Sequence, residues 1–189
     1  MGLKNTKLDL PEDADDICKT TGFNHGQLAR LYRRFKHLSD GETYLTRDQL
    51  KNLRAVSDNP LGDRILEAFF FDDPECQETK KMTFNQFAHV LARFRPGNSG
   101  PANEINSKEN KLKFAFSMYD ITNDGYISYD EFIYVLKLVL GDHEQIETIA
   151  ERSIAEADVT KNGRLSFDEF SQAMEHVAVD QKMSMRFKN

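Results

Sequence analysis

The 189-residue sequence predicts an all-α fold of two lobes, each a pair of helix-loop-helix units whose loops pair through short strands. Three observations support this prediction. Apolar side chains recur at helical spacing through both halves of the chain. Two acidic loops, 120–131 and 158–169, repeat one pattern of oxygen-bearing residues. Between the halves, residues 97–107 are rich in Gly, Asn and Ser without apolar periodicity, which is typical of a linker.

Helices in the first half are indicated by caps and apolar stripes. Asn24 with Gln27 three residues later is a capping-box pattern, and Asn59 followed by Pro60 predicts a second helix start. A third stripe stops at Arg95. The three stripes are Leu28, Leu31, Tyr32, Phe35 and Leu38; Leu61, Ile65, Ala68 and Phe69; and Phe84, Phe87, Val90, Leu91 and Phe94.

The second half repeats a helix-loop-helix unit, with each acidic loop between an entering and a leaving apolar stripe. Gly141 predicts the end of the helix that leaves the first loop. The stripes are Leu112, Phe116 and Tyr119; Phe132, Val135, Leu136 and Val139; Ile146, Ile149, Ala150, Ile154 and Ala157; and Phe167, Phe170, Met174 and Val177.

Composition excludes several classes of function. With 31 acidic and 25 basic side chains the formal charge is −6, which disfavours nucleic acid as a partner. Cys18 and Cys76 are isolated, which predicts reduced thiols in an intracellular compartment. No apolar run reaches the roughly 20 residues that a membrane-spanning helix needs. The sequence also lacks a phosphate loop and a nucleophile-base pair, so we expect no enzymatic activity.

Loop 120–131 has the residue pattern of an EF-hand calcium loop. Oxygen-bearing side chains occupy positions 1, 3, 5, 9 and 12, and Gly125 at position 6 permits the sharp turn. Calcium is a hard cation that takes six to eight oxygen ligands, and Tyr126 at position 7 supplies a carbonyl. The predicted ligands are Asp120, Thr122, Asp124, Tyr126, Ser128 and Glu131.

Loop 158–169 repeats this pattern 38 residues later, with Ile127 and Leu165 at the eighth positions, where paired loops touch. The predicted ligands are Asp158, Thr160, Asn162, Arg164 through its carbonyl, Ser166 and Glu169. Two calcium ions are therefore expected, with magnesium as an alternative occupant at low calcium. The first loop has three carboxylate ligands and the second has two, so charge favours tighter binding by the first.

The loops of the first half are predicted not to bind calcium. In the stretch 39–50, Leu45 comes one residue early and no Glu stands at the closing position. In the second loop, a register with Met82 at position 8 puts Lys80 where the turn glycine belongs and neutral Gln86 at position 12. Each change removes a feature that the ion requires.

The segment Met1 to Thr6 matches the signal for myristoylation of Gly2. One acyl chain gives only reversible membrane binding, so a second contact such as a membrane-bound partner is needed. The domains expected are an arm (1–20), a first lobe (21–96), the linker (97–107), a second lobe (108–176) and a tail (177–189).

The sequence resembles the calcineurin B homologous proteins, which are myristoylated EF-hand subunits of plasma-membrane sodium/proton exchangers. The resemblance covers nearly the whole chain, and the tail is its most discriminating part. The segments that carry it are the Gly2 signal, TGFNHGQLARLYRRF (21–35), NPLGDRILEAFF (59–70), ARFRP (92–96), KLKFAFSMYD (111–120) and VDQKMSMRF (179–187).

This resemblance implies a non-catalytic calcium-binding subunit at the inner face of the plasma membrane. It would bind an amphipathic juxtamembrane helix of the exchanger and support the exchanger's stability and activity. The alternative is a regulatory subunit or inhibitor of a calcineurin-type phosphatase, with the phosphatase catalytic subunit as partner. Four intact loops are expected of a phosphatase subunit, so the two silent loops favour the exchanger.

Overall fold

The computed structural model describes residues 9–71, 73–95 and 103–183, so Gly2 lies outside the described residues. Helices of the first half are α1 (Ala14–Thr21), α2 (His25–Leu38), α3 (Arg47–Lys51), α4 (Arg54–Ser57), α5 (Gly62–Phe71), α6 (Pro74–Thr79) and α7 (Phe84–Ala92). Those of the second half are α8 (Lys108–Tyr119), α9 (Tyr129–Leu140), α10 (Ile146–Ala157), α11 (Phe167–Ala173) and α12 (Val179–Lys182). The all-α prediction is confirmed.

Two antiparallel strand pairs join the loops. Strand β1 (Tyr44–Thr46) pairs with β2 (Lys81–Thr83), and β3 (Tyr126–Ser128) pairs with β4 (Arg164–Ser166). The register places Leu45 opposite Met82 and Ile127 opposite Leu165, and all four side chains are buried. Because each strand is followed at once by a helix, the pairing fixes where that helix begins.

Each of these helices begins with a capping box. In this motif the side chain of a Ser, Thr or Asn accepts a hydrogen bond from a backbone N–H three residues later, and the Glu or Gln side chain at that later position accepts one from the backbone N–H of the first residue. The box predicted at Asn24 is present. The others pair Thr46 with Gln49, Thr83 with Gln86, Ser128 with Glu131 and Ser166 with Glu169.

Helix α8 belongs to both hydrophobic cores. Its Phe114 lies in the core of the first half, where its ring centroid is 5.6 Å from that of Phe69 and 5.1 Å from that of Phe94. On another face, Leu112 and Phe116 lie in the core of the second half. Because two faces of α8 are buried, its apolar residues do not form a single stripe. The helix connects the two halves at the first acidic loop.

Residues 14–20, which the sequence analysis placed in an N-terminal arm, form helix α1 together with Thr21. Ile17 is fully buried in the core of the first half, and α1 packs against α2 and α7. The predicted arm therefore needs correction in its second part, because apolar Ala14 and Ile17 give a short helix one buried face.

Two other boundaries also differ from the prediction. Asn59 accepts a hydrogen bond from the Leu61 N–H, but the helix begins only at Gly62. Of the predicted linker, residues 104–106 form a 3₁₀ turn that leads into α8, and 97–102 lie outside the described residues. In the tail, Val179 is buried against the second core and residues 184–189 lie outside the description. Among the described residues, no helix combines the length and apolarity of a membrane span.

Candidate metal centres in the second half

The side chain of Glu131 closes the loop 120–131. One carboxylate oxygen accepts hydrogen bonds from the Ile121 N–H (2.9 Å), the Thr122 N–H (2.9 Å) and the Thr122 hydroxyl (3.0 Å). The other accepts from the Ser128 N–H (2.8 Å) and hydroxyl (2.7 Å). The predicted ligands at positions 3, 9 and 12 therefore converge within one loop.

The beginning of the same loop is organised by Asp120, which is buried. Its two carboxylate oxygens accept hydrogen bonds from the N–H groups of Asp124 (3.2 Å) and Gly125 (3.0 Å). Gly125 has a φ of 85°, which strains any residue with a Cβ, so glycine is needed at this turn. Asp124 in turn accepts a bond from the Tyr126 N–H (3.0 Å).

The loop 158–169 reproduces this arrangement. Glu169 accepts hydrogen bonds from the N–H and hydroxyl groups of both Thr160 and Ser166, at 2.8 to 3.0 Å. Asp158 accepts from the Gly163 N–H (2.7 Å) and the Asn162 N–H (3.2 Å). The Arg164 N–H donates to the Asn162 side-chain oxygen (2.9 Å). All six predicted positions thus belong to one hydrogen-bonded loop.

Burial and hydrogen bonds shift the pKa values of three carboxylates in these loops. Burial opposes ionisation of Glu131, but hydrogen bonds from Ser128 and Thr122 outweigh it and hold its pKa at about 2. The equivalent hydrogen bonds hold the pKa of Glu169 at about 2. Burial raises the pKa of Asp120, and the neighbouring carboxylates raise it further, although backbone hydrogen bonds lower it in part. A cation would relieve the burial of this negative charge.

The donor chemistry of both loops fits calcium. Every predicted side-chain donor is an oxygen, and carboxylates, hydroxyls, amides and carbonyls are the groups that this hard cation prefers. Within the described part of the chain no three His, Cys, Asp or Glu side chains gather around one point. Hydroxyl groups at positions 3 and 9 would supply part of each ligand set, and the Asn162 amide at position 5 would supply part of the second.

In the first half, Gln49 occupies the place of the closing glutamate in the first loop. It lies four residues after the strand residue Leu45, as Glu131 lies four after Ile127. Its side-chain oxygen accepts from the Thr46 N–H (2.9 Å) and hydroxyl (3.1 Å). The helix cap is kept, but the charge that would bind an ion is missing.

The second loop of the first half is partly helical. Helix α6 covers the first five positions of the predicted register, so their side chains point around a helix axis rather than toward one centre. Lys80 takes the left-handed turn at φ 56°. The Gln86 amide donates to Asp73 (3.0 Å) and Glu75 (3.3 Å), so hydrogen bonds hold this loop together.

Helix α9 presents an apolar face that the core covers only at its beginning, where Phe132 is partly buried against the second core. The residues at i, i+4, i+7 and i+8 lie on one side of a helix. On α9 these are Phe132, Leu136, Val139 and Leu140, and none of the four is buried. Val139 and Leu140 are about half exposed, at 50% and 49%.

A contact that the sequence analysis missed joins the two halves beside the loop 120–131. Arg64 of α5 donates to the backbone carbonyls of Met118 (3.0 Å) and Ser117 (3.1 Å) in the last turn of α8. It also pairs with Glu67 on its own helix. An arginine within an apolar stripe could have indicated a buried polar contact. The sequence did not indicate which residues this arginine binds.

Comparisons with known proteins agree with this architecture. A family model for an EF-hand domain pair matches residues 109–175. Calcineurin B of Naegleria gruberi is 33% identical over 186 residues, which are 96% of this chain and 98% of that protein. Calcineurin B of Candida glabrata is 34% identical over 92% of this chain and 94% of that protein. Human calcineurin B homologous protein 3 is 30% identical over 77% of this chain and 71% of that protein.

The EF-hand pair and these relatives imply calcium binding. They also agree with the resemblance that the sequence motifs indicated. The chain belongs to the calcineurin B-like family of EF-hand proteins, which includes calcineurin B itself and the calcineurin B homologous proteins.

Proposed function

We propose that this protein is a non-catalytic regulatory subunit that binds calcium in its second half and holds an amphipathic helix of a partner protein. The observation that carries the proposal is the apolar face of α9, which follows the loop 120–131 and is half exposed at Val139 and Leu140. Such a face receives a partner helix through apolar anchors at helical spacing. The ions would be held by the ligands described above, one in each loop.

Charge defines the partner helix further. Residues 108–176 contain 14 acidic and 7 basic side chains, so the second half carries the excess negative charge of the whole chain. Two calcium ions would offset only part of it. A partner helix with an apolar face and basic flanks would therefore complement this half, and the charges would speed association at low salt.

For the partner we favour the cytoplasmic juxtamembrane helix of a plasma-membrane sodium/proton exchanger, whose stability and activity this subunit would support. The two silent loops of the first half support this assignment, since Gln49 and Gln86 replace the closing glutamates. In this assignment, calcium stabilises a constitutive complex.

A second candidate is a regulatory subunit or inhibitor of a calcineurin-type phosphatase. It is favoured by the calcineurin B relatives, which are similar over 92–96% of this chain, whereas calcineurin B homologous protein 3 is similar over 77%.

Calorimetric titration tests both assignments. Synthetic peptides of the exchanger helix and of the phosphatase helix that binds the regulatory subunit would be titrated into the protein, first with calcium and then with chelator. Preferential binding of the exchanger peptide supports our assignment, and preference for the phosphatase peptide would replace it with the second candidate. Leu136→Glu on α9, with exposed Lys137→Glu as its control, should abolish peptide binding only if this face is the docking site.

We also propose that Gly2 is myristoylated and that the protein is peripheral at the inner face of the plasma membrane. The Gly2 pattern supports lipidation, and a membrane-bound partner would supply the second contact that stable anchoring needs. Metabolic labelling with an alkyne-tagged myristate tests the modification, with Gly2→Ala as the control. Equal labelling of both proteins would refute it.

A further inference from the structure

The side chain of Arg164 leaves its own calcium loop and reaches the other one. Its Nη1 lies 3.4 Å from Oδ2 of Asp124, the ligand at position 5 of the loop 120–131. Its guanidinium carbon lies 4.4 Å from the centroid of the Tyr126 ring. The prediction from sequence used only the backbone carbonyl of Arg164, so the side chain has no assigned role.

The strand pairing explains this reach. Arg164 stands opposite Ser128 in the β3–β4 register, which makes Tyr126 its diagonal neighbour. Diagonal neighbours lie about 7 to 8 Å apart, within the span of an arginine. The Tyr126 ring then guides the guanidinium along its face toward Asp124, which is a typical cation–π arrangement.

The Arg164 contact places a positive charge of the second loop beside a predicted ligand of the first loop. Asp124 uses Oδ1 for the Tyr126 N–H and Oδ2 for Arg164, so one of the three carboxylates in its loop is paired with a cation. The equivalent residue at position 5 of the other loop is neutral Asn162. Since Tyr126 carries no charge, the first loop cannot act on the second in the same way.

We propose that the Arg164 side chain lowers the calcium affinity of the loop 120–131 by holding Asp124, so that this loop binds more weakly than its three carboxylates predict. The proposal rests on the calcium-binding function proposed above. Calcium must compete with the guanidinium for Asp124 and is repelled by it. Both side chains are about half exposed, at 47% and 49%, so the effect is modest. We expect roughly a two- to fivefold change in affinity, weakened by salt.

The experiment measures calcium binding to one loop at a time. Glu169→Gln removes the closing carboxylate of the second loop and keeps its helix cap, as glutamine does at position 86. In this parent, Arg164→Gln is compared with Lys161→Gln, which removes the same charge from an exposed position of the same loop. Calcium affinities are measured by calorimetry at low and at high KCl concentration, and circular dichroism checks that each variant folds.

Arg164→Gln should raise the affinity of the loop 120–131 about two- to fivefold at low salt, and by less at high salt. Arg164→Lys should stay near the parent, and Lys161→Gln should have a smaller effect. In an Asp124→Asn background the difference between the two glutamine variants should vanish, since the amide keeps an oxygen ligand but no charge.

Equal effects of Arg164→Gln and Lys161→Gln would overturn the proposal, and so would a difference between these two variants that persists in the Asp124→Asn background. A parent that binds no calcium would overturn the proposed calcium function of the loop 120–131, and this inference with it. A parent that binds calcium without any Arg164 effect would overturn this inference alone.

Discussion

Replacing Arg64 with alanine should destabilise the protein and weaken the coupling between its two halves. Arg64 is the point at which α5 meets the last turn of α8, and its side chain is only 8% exposed. The carbonyls that it binds lie at the C-terminal end of a helix, where the helix itself provides no partners for them. Asp120, the first predicted ligand, follows Met118 by two residues.

The size of the effect follows from the bonds that are lost. Hydrogen bonds to charged groups contribute about 1.5 to 3 kcal/mol each, and Arg64 makes two of them to α8. The pair with Glu67 adds less than about 1 kcal/mol because that carboxylate is half exposed. The contributions share one desolvated cation and do not add fully. We expect a loss of about 3 kcal/mol in the free energy of unfolding.

Urea denaturation with Arg47→Ala as the matched control measures this loss. Arg47 lies in the same cluster of charges, pairing with Asp63 at 3.2 Å and Glu67 at 3.8 Å, but its side chain is 32% exposed. We expect Arg47→Ala to cost about 0.5 kcal/mol. The Arg64 variant should also lose cooperativity, because the two halves then unfold over different urea ranges.

Similar losses for the two alanine variants would refute this reasoning, because they would mean that the bonds to α8 contribute nothing. A single sharp transition for Arg64→Ala would refute the coupling. Calcium supplies a further check, since it should stabilise the second half and widen the gap between the two transitions.

Three further predictions concern the loops and one turn. Glu131→Gln and Glu169→Gln should each reduce the calcium stoichiometry by one ion, as counted by calorimetry, and an unchanged count would contradict the assigned ligands. Because the folded pKa of both glutamates is about 2, below the ordinary 4.5, their contribution to stability is present above pH 4.5 and is lost between about pH 4.5 and 2. The urea midpoint of the calcium-free protein should fall over that range, and fall less in the double glutamine variant. Gly22→Ala should cost about 2 kcal/mol more than Gly41→Ala, since both have positive φ but only at Gly22 does a Cβ meet the buried Arg95 guanidinium, and equal thermal shifts would contradict this.

Features set by neighbouring residues could be predicted from the sequence. The capping box at Asn24 needs only Gln27 three positions later, and the Ile127–Leu165 contact follows from two loops with the same internal numbering. Neutral Gln86 at the closing position was likewise predicted and is found there, four residues after Met82. Each of these depends on spacing within one motif.

Features that depend on distant partners could not be predicted. The sequence does not indicate that Arg64 meets the end of α8, because the two are more than 50 residues apart. Helix α6 was missed for a different reason, since its six residues are too few for an apolar stripe. A local signal was present there, because Asp73 followed by Pro74 is a cap with proline at the first helical position.

The contrast between the two halves indicates how calcium would act. In the first half, the Gln86 amide donates hydrogen bonds to Asp73 and Glu75 and so holds the loop together without an ion. The structure of the first half should therefore not respond to calcium. In the second half, Asp120 and Glu131 are buried and bring two negative charges close together. A bound ion would offset the repulsion between them. Since α8 is packed in both cores, the stability gained there should reach the first half through α8 itself. Calcium would then stabilise the whole partner-binding surface while the first half stays in one conformation, as expected of a constitutive subunit rather than a switch.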